Sequence, residues 1–239
     1  MKKIGFLLFL FVFGITAPVA AAPVTVYSND FDGNEVFLSG VDGGLTGVTT
    51  TEGVQGLSAV SFSGNLLRND SALIAGASKA LTTRLRLNNL PAHDSIDISF
   101  LLAFIDSWDS SNGSVAPDWF NVQVDGISIL QITSANASGD VTYNGVQLGF
   151  AQYGWWDYYQ DRAFDMATEP ALTMAHNTPT LYIDFFASGV GWQGGMDESW
   201  GIDNLNVVVN TTGVPEPATI LLLGLGVTGL AGIGRKLKR

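Results

Sequence analysis

In the stretch DSIDISFLLAF, residues 94–104, every second residue from Ile96 is apolar, and the polar residues Ser95, Asp97 and Ser99 alternate with the first of them. Five apolar residues share one face: Ile96, Ile98, Phe100, Leu102 and Phe104. A period of two, rather than 3.6, is typical of a strand with one buried face. Four further stretches have the same period: ALTTRLRL (80–87), WFNVQV (119–124), TLYIDFF (180–186) and NLNVVV (204–209). The pattern predicts an all-β domain built from antiparallel strands.

Two dipeptides indicate tight turns between strands. Asp125-Gly126 separates FNVQV from ISILQI, and Asn144-Gly145 separates VTY from VQL. Such pairs supply the positive φ values that hairpin turns require. Only DRAFDMATE, residues 161–169, suggests a short helix. Numerous strands joined by Gly/Ser/Asn-rich loops fit a sandwich or a barrel, and we favour an antiparallel jelly-roll β-sandwich.

The N-terminal residues 1–22 have the parts of a secretory signal peptide. Two lysines precede an apolar run over residues 4–15, and the small residues of TAPVAAAP follow at 16–23. The run is shorter than the roughly 20 residues that a membrane span needs. We therefore expect cleavage near residues 20–22 and a main domain over 23–213, the alternative being a retained N-terminal anchor.

The C-terminal residues 214–239, VPEPATILLLGLGVTGLAGIGRKLKR, form a marginal membrane span with a basic end. Residues 218–234 carry no charge but include five glycines. A helix of this length reaches roughly 26 Å, short of the roughly 30 Å hydrocarbon core. The basic residues Arg235, Lys236, Lys238 and Arg239 would hold this end on the cytoplasmic side.

This tail resembles the PEP-CTERM sorting signal of exported bacterial proteins. The motif is Pro215-Glu216-Pro217, preceded by Val214, and a single transmembrane sorting helix and a basic cluster follow it. The resemblance implies a membrane-embedded, exosortase-type processing enzyme as a partner. It also implies a bacterium with an outer membrane that makes extracellular polysaccharide. We expect mature protein to lack everything after about Pro217, the alternative being an anchor that is never cut.

The main domain is strongly acidic and contains no cysteine. It carries five Lys and Arg against 21 Asp and Glu, a net charge of −16. This charge repels phosphate backbones and excludes nucleic acid as a natural partner. Cations are the partners such a surface favours, although the charge also serves solubility alone.

Two stretches of the main domain, 104–126 and 197–209, resemble blocks of exported, lectin-like jelly-roll modules. The first is FIDSWDSSNGSVAPDWFNVQVDG and the second is DESWGIDNLNVVV. The resemblance implies carbohydrate binding and structural Ca²⁺. Calcium takes six to eight oxygen ligands, and the candidates in these blocks are Asp106, Asp109, Asp197, Glu198 and Asp203. The alternative is that these residues only form turns.

An aromatic cluster, YGWWDYYQD at 153–161, lies outside any predicted strand. Sugars stack on Trp and Tyr rings, so Trp155, Trp156 and Tyr158 are candidate carbohydrate-stacking residues. Adjacent residues of an extended chain point to opposite sides, so at most one of the two tryptophans faces solvent. The alternative is that the rings close one end of the core.

No catalytic motif for a serine hydrolase, a zinc protease or a phosphate-binding loop occurs in the sequence. We therefore predict an exported, surface-sorted protein that acts as a binding or structural component, not as an enzyme. Its setting is the cell envelope or the extracellular polysaccharide matrix. The alternatives are a polysaccharide-degrading enzyme on the same fold and a matrix protein with no specific ligand.

Overall fold

The fold consists of two antiparallel sheets, seen in a computed structural model that describes residues 22–110, 116–136, 142–153 and 159–211. The strands of these residues are β1 Val24–Asn29, β2 Glu35–Phe37, β3 Asp42–Gly47, β4 Thr51–Gly53, β5 Asn65–Asn69, β6 Thr83–Asn88, β7 Ser95–Asp106, β8 Trp119–Val124, β9 Ile127–Ile132, β10 Val146–Ala151, β11 Asp161–Asp165, β12 Thr173–Ala175, β13 Thr180–Ser188 and β14 Glu198–Asn210. Two short 3₁₀ helices cover Gln55–Val60 and Pro170–Leu172. The predicted all-β, antiparallel two-sheet architecture is confirmed.

The larger sheet, sheet A, is built around the two longest strands, β7 and β14. Its order is β10-β11-β7-β14-β1-β2, with β12 paired to β7, β5 paired to β14, and β4 paired to β5. β7 and β14 pair from Glu198 opposite Asp106 to Asn210 opposite Ser95. The register shifts between Asp203 and Asn206, which is the irregularity expected of a β-bulge.

The smaller sheet, sheet B, has the order β3-β6-β13-β8-β9. Its β8–β9 hairpin turns at the predicted Asp125-Gly126 pair, where φ is 51° and 81°. At the outer strand β3, Gly43 adopts φ 146°, and a Cβ atom there would lie 1.9 Å from the main-chain oxygen of Arg86. Glycine is therefore required for β3 to approach β6 this closely.

Aromatic rings from both sheets meet in the core. Phe104 of β7, Phe120 of β8 and Trp200 of β14 are fully buried. The ring centroid of Phe120 lies 6.4 Å from that of Phe104 and 5.1 Å from that of Trp200. Rings at these separations interact favourably beyond their burial. The apolar residues of the alternating pattern therefore pack sheet A against sheet B.

The second half of β7 is buried on both faces. From Leu102 to Asp106 every residue is buried, because a second, smaller cluster covers the outer face of sheet A. Its members are Val54, Leu57, Val60, Phe62, Leu66, Ala103, Ile105, Tyr153 and Ala163. The 3₁₀ helix Gln55–Val60 supplies two of them, Leu57 and Val60, and Val54 directly precedes it. This cover explains why the apolar alternation of β7 becomes a continuous apolar run.

Two local predictions were wrong. Residues 161–165 form the strand β11 and not a helix, because Arg162 to Asp165 pair with Phe104 to Leu101 of β7. Asn144-Gly145 does not connect two strands of the described chain, because residues 142–145 carry no strand and β10 begins at Val146.

Pro23–Thr211 is one compact unit. The predicted signal peptide and sorting helix lie outside the described residues. Within the described ranges no helix is long and apolar enough to cross a membrane.

Candidate functional site

Three carboxylates from separate elements converge at one end of the sandwich. Asp109 follows β7, Asp118 immediately precedes β8, and Glu198 begins β14. One ligand oxygen from each residue lies within 4.8 Å of the others. The exposed fractions are 7% for Asp109 and 0% for both Asp118 and Glu198. We call this set the carboxylate cluster.

Two reciprocal hydrogen bonds close the chain between the first two members. The main-chain N–H of Asp118 donates to the main-chain oxygen of Asp109 at 2.8 Å. The N–H of Asp109 donates to Oδ2 of Asp118 at 2.7 Å. These two hydrogen bonds hold the side chains of Asp109 and Asp118 next to each other without the help of a ligand.

Trp108 fastens the same segment to β14. Its indole Nε1–H donates to the main-chain oxygen of Ser199 at 2.5 Å, next to Glu198. Its ring is fully buried and packs against Phe104 at 4.5 Å and Trp192 at 5.2 Å. Trp108 and Trp192 therefore belong to the core, and the bond from Trp108 to β14 positions the carboxylate cluster.

The hydrogen bonding of the cluster is incomplete. Oε2 of Glu198 accepts the N–H of Gln193 at 2.7 Å. Oε1 of Glu198 and Oδ1 of Asp118 are buried and have no hydrogen-bond partner within the described ranges. Neither carboxylate forms an ion pair with a Lys or Arg of those ranges. Buried acceptors without donors are costly, so the two carboxylates need either a shared proton or a bound cation.

The electrostatics lead to the same requirement. Burial raises the pKa of Asp118 well above its usual value, and the charge of Glu198 raises it further. Burial likewise raises the pKa of Glu198, with a further contribution from the charge of Asp197. The site can relieve this cost by taking up protons or by binding a metal ion.

The donor set suits a hard divalent cation. Calcium takes carboxylate, carbonyl and hydroxyl oxygens at 2.3–2.6 Å, and Asp109, Asp118 and Glu198 offer only oxygens. Ser110, directly after Asp109, has a buried Oγ without a partner among the described residues. The group contains no nitrogen or sulfur ligand of the kind that zinc prefers.

Of the five residues predicted as metal ligands, the structure brings Asp109 and Glu198 together. Asp197 lies beside them, but its Oδ1 accepts the hydroxyl of Ser107 at 2.9 Å. Asp106, Asp197 and Asp203 are not members of the three-residue group.

Asp106 belongs to a different polar pair. Its main-chain N–H donates to Oδ1 of Asp161 at 2.7 Å. Burial raises the pKa of Asp106 to about 6, although the charge of Arg68 opposes the shift. Burial also raises the pKa of Asp161 to about 7. This pair lies where β7 and β11 adjoin. Asp161 also accepts the main-chain N–H of Tyr153, so it connects the segment after β10 to these two strands.

Asp203 lies at the irregular point of the β7–β14 pairing. Its Oδ2 accepts the N–H of Ser63 at 3.1 Å and its Oδ1 accepts the N–H of Asn204 at 2.6 Å. Burial raises its pKa to about 6. Its hydrogen bonds indicate that it fastens the loop before β5 to the sheet.

Sequence reasoning missed Asp118, the third member of the cluster. It lies in the same block, 104–126, that supplied Asp106 and Asp109. The sequence did offer one indication that Asp118 is a ligand: it ends the acidic loop and directly precedes the predicted strand WFNVQV. The proposed saccharide-stacking residues Trp155, Trp156 and Tyr158 lie outside the described residues, and so do the sorting residues Val214 to Pro217 and the basic end.

The comparisons with known proteins identify the tail and leave the main domain open. Residues 213–239 match the PEP-CTERM protein-sorting motif. No curated protein matches the chain. Among solved structures, that of the infectious bursal disease virus Gt strain is 15% identical with a TM-score of 0.29, covering 88% of this chain and 41% of that one. The structure of the Gx strain of that virus is 13% identical with a TM-score of 0.25, covering 85% and 39%.

The chain thus spans about two fifths of the length of these viral chains. TM-scores this low do not establish a common fold. The motif and the two sheets together define the class of this protein: a β-sandwich domain that carries a sorting signal. The motif implies an exported, surface-sorted protein of Gram-negative bacteria that an exosortase processes.

Proposed function

We propose that the exported domain is a non-catalytic binding module of the cell envelope or extracellular polysaccharide matrix, and that Ca²⁺ stabilises it. The observation that carries the proposal is the carboxylate cluster, where two buried oxygens of Asp118 and Glu198 lack any donor among the described residues. A surface-sorted domain is exposed to the external medium, where modules with modest calcium affinity are common.

The ion would act on the shape of the loops. Asp109 and Asp118 begin and end the connection between β7 and β8, while Glu198 belongs to the sheet. An ion that takes one oxygen from each would hold this connection against β14. The saccharide-stacking role of Trp155, Trp156 and Tyr158 belongs to the same proposal, since a binding module needs exposed rings and fixed loops.

Burial favours binding over glycosidic hydrolysis. Carboxylates that cleave a sugar must reach the scissile bond and leave room for the substrate. Asp118 and Glu198 are fully buried, and Asp109 is nearly so. The raised pKa values of Asp118 and Glu198 come first from burial, and this enclosure supports a cation site over an acid–base pair in a cleft.

The test uses the full chain and a panel of bacterial and plant polysaccharides, with Ca²⁺ and then with a chelator. We expect calcium-dependent retention on at least one glycan without release of reducing sugar. Asp118→Asn should abolish the calcium dependence, whereas Asp203→Asn, which changes a buried carboxyl outside the cluster, should keep it. Release of reducing sugar would support the degrading enzyme instead. Absence of retention in both conditions would favour a matrix protein with no specific ligand.

A further inference from the structure

The only two histidines of the chain, His93 and His176, contact each other directly. Nε2 of His93 lies 2.6 Å from Nδ1 of His176. The rings are nearly parallel, with an interplanar angle of 18° and centroids 4.9 Å apart. Both are buried, with exposed fractions of 6% and 8%. Neither ring is part of the carboxylate cluster.

Three connections between strands meet at this pair. His93 lies between β6 and β7, His176 lies between β12 and β13, and Asp125 lies in the β8–β9 turn. Main-chain hydrogen bonds join the first two connections, because the N–H of His176 donates to the oxygen of Asp94 at 3.1 Å. The histidine pair therefore links parts of both sheets at one end of the sandwich.

The outer nitrogen of each ring faces acceptors. Nδ1 of His93 lies 2.6 Å from the main-chain oxygen of Pro91, which can only accept. Nε2 of His176 lies 3.1 Å from Oδ2 of Asp125. It also lies 3.2 Å from Oγ1 of Thr178, whose hydroxyl already donates to the oxygen of Thr180. Both outer nitrogens must therefore carry a proton.

The inner nitrogens then determine the charge. A hydrogen bond between Nε2 of His93 and Nδ1 of His176 needs one proton between them. With one proton on each outer nitrogen, four ring nitrogens hold three protons. Two neutral imidazoles hold only two, so the pair carries one positive charge, and the carboxylate of Asp125 lies opposite that charge.

We propose that His93 and His176 share one proton as an imidazole–imidazolium pair, balanced by Asp125, and that this pair is a pH-dependent latch for the three connections. The latch also borders the surface, because Asp125 and Thr178 line an open depression of about 510 Å³ together with Arg84, Thr180 and Tyr182. An exported protein meets the external pH directly, so the latch responds to the medium.

Two pH limits follow from the proton count. A second proton would place an N–H on both inner nitrogens, and at 2.6 Å they would repel each other. Burial and the charge of His93 lower the pKa of His176, while Asp125 raises it, so the pair resists the second proton. Loss of the shared proton would leave Asp125 facing a ring without its charge.

Few other charges face the pair. Asp94 is adjacent to His93 in the chain and supplies its main-chain oxygen to His176. Arg84 borders the same depression as Asp125 but forms two hydrogen bonds to Asp184, at 2.6 and 2.7 Å. The carboxylate of Asp125 contacts the pair at His176, with Oδ2 at 3.1 Å from Nε2.

Loss of the shared proton and uptake of a second proton both decrease the stability of the folded chain, at opposite ends of the pH range. For the shared proton, the proposal requires that the folded pair hold it more tightly than a free imidazole, whose ordinary pKa is about 6.5. Its contribution is therefore complete below that value and disappears as the pH rises through the folded pKa. For the second proton, the folded pKa is lowered, so stability decreases as the pH falls below about 6.5. The latch contributes most between the two macroscopic pKa values.

The experiment is a pH titration of full-length protein labelled with ¹⁵N at histidine, purified in mild detergent. Because the chain has two histidines, four ring nitrogens account for the whole spectrum. We expect two macroscopic transitions, one below and one above about 6.5, with protonated outer nitrogens throughout the interval. Two rings that titrate together near that value would overturn the proposal. A spectrum that changes on addition of EDTA would indicate a metal ion between the rings and would overturn it as well.

A matched pair of variants separates the latch from a merely structural contact. Asp125→Asn keeps the turn, because asparagine also tolerates the φ of 51° and retains the acceptor for the N–H of Tyr182. We expect the upper pKa to fall by about 1 unit or more, which is the effect of removing a neighbouring opposite charge. Asp165→Asn, on β11 of the other sheet, should leave both transitions unchanged. An unchanged upper pKa in Asp125→Asn would contradict the shared proton.

Discussion

Replacing Glu198 by glutamine should change the stability of this protein in opposite directions without and with calcium. Glutamine keeps an oxygen for the N–H of Gln193. Its amide N–H replaces the partnerless Oε1 and can donate to the partnerless Oδ1 of Asp118. Above the raised pKa values of Asp118 and Glu198, where neither carboxyl holds a proton, the calcium-free protein therefore gains a hydrogen bond and loses a buried charge. The calcium-bound protein loses a ligand.

The magnitude follows from these contacts. A hydrogen bond to a charged group contributes about 1.5–3 kcal/mol. In a domain of the size of Pro23–Thr211, 1 kcal/mol changes the Tm by about 2–4 °C. Calcium-free Glu198→Gln should therefore melt roughly 3–12 °C above wild type. Calcium at 100 times its Kd stabilises wild type by about 2.7 kcal/mol, which is roughly 5–11 °C, and the variant should lose most of this increase.

The assay is differential scanning calorimetry of the full chain at about pH 9, above the raised pKa values of Asp118 and Glu198, in EGTA and in excess CaCl₂. Asp203→Asn serves as the control, because Asp203 is a buried carboxylate with complete contacts to Ser63 and Asn204. It should retain the calcium response of wild type. A Glu198→Gln protein that is less stable than wild type in EGTA, and that still responds fully to calcium, would refute the assignment of the cluster as a cation site.

Four further outcomes are expected. Burial raises the pKa of Asp161 to about 7, so the folded chain binds more protons than the unfolded chain. The urea midpoint of calcium-free protein should therefore rise as the pH falls from 8 to about 5.5. A midpoint that does not change with pH would contradict this. Phe120→Ala removes a fully buried ring between the sheets and should cost about 3–5 kcal/mol in denaturant unfolding. Gly43→Ala should cost about 1–3 kcal/mol, whereas Gly53→Ala should cost less, because its Cβ would lie at ordinary contact distance, 4.0 Å, from the main-chain oxygen of Gly64. Intact mass of the mature protein should exclude residues after about Pro217.

Much of the fold can be predicted from local periodicity. The first half of β7 and the second half of β14 alternate in burial as their sequences alternate in polarity. The Asp125-Gly126 turn was also predictable, because its backbone needs positive φ at both positions and few residue pairs supply it. These features depend on neighbours in the chain, and one sequence contains that information.

Other features depend on partners distant in the chain. DRAFDMATE resembles a helix start, yet Arg162 to Asp165 pair with β7, and tertiary pairing outweighs local propensity. The continuous burial at the end of β7 results from the 3₁₀ helix Gln55–Val60 covering a second face. Periodicity within β7 alone does not contain that information.

The candidate site was predictable only in part for the same reason. An acidic loop after one strand and an acidic pair before the last strand indicated oxygen ligands, and Asp109 and Glu198 do meet. Asp118 became visible only through its bonds to Asp109. The contact of His93 with His176 joins positions 83 residues apart, and neither residue has a motif around it.

The two proposed sites should respond independently, because β8 separates them. Asp118 precedes this strand and Asp125 follows it, so seven residues at about 3.3 Å place them roughly 23 Å apart. At an effective dielectric constant of about 20, unit charges at that distance interact by roughly 0.7 kcal/mol, or about half a pKa unit. Direct contact with Asp125 has a larger effect than this on the pKa of His176. Asp118→Asn should therefore remove the calcium response and leave the histidine titration nearly unchanged, while Asp125→Asn should do the reverse. A large effect of either variant at the other site would mean that the strand between them transmits a conformational change, because electrostatics alone is too weak at this separation.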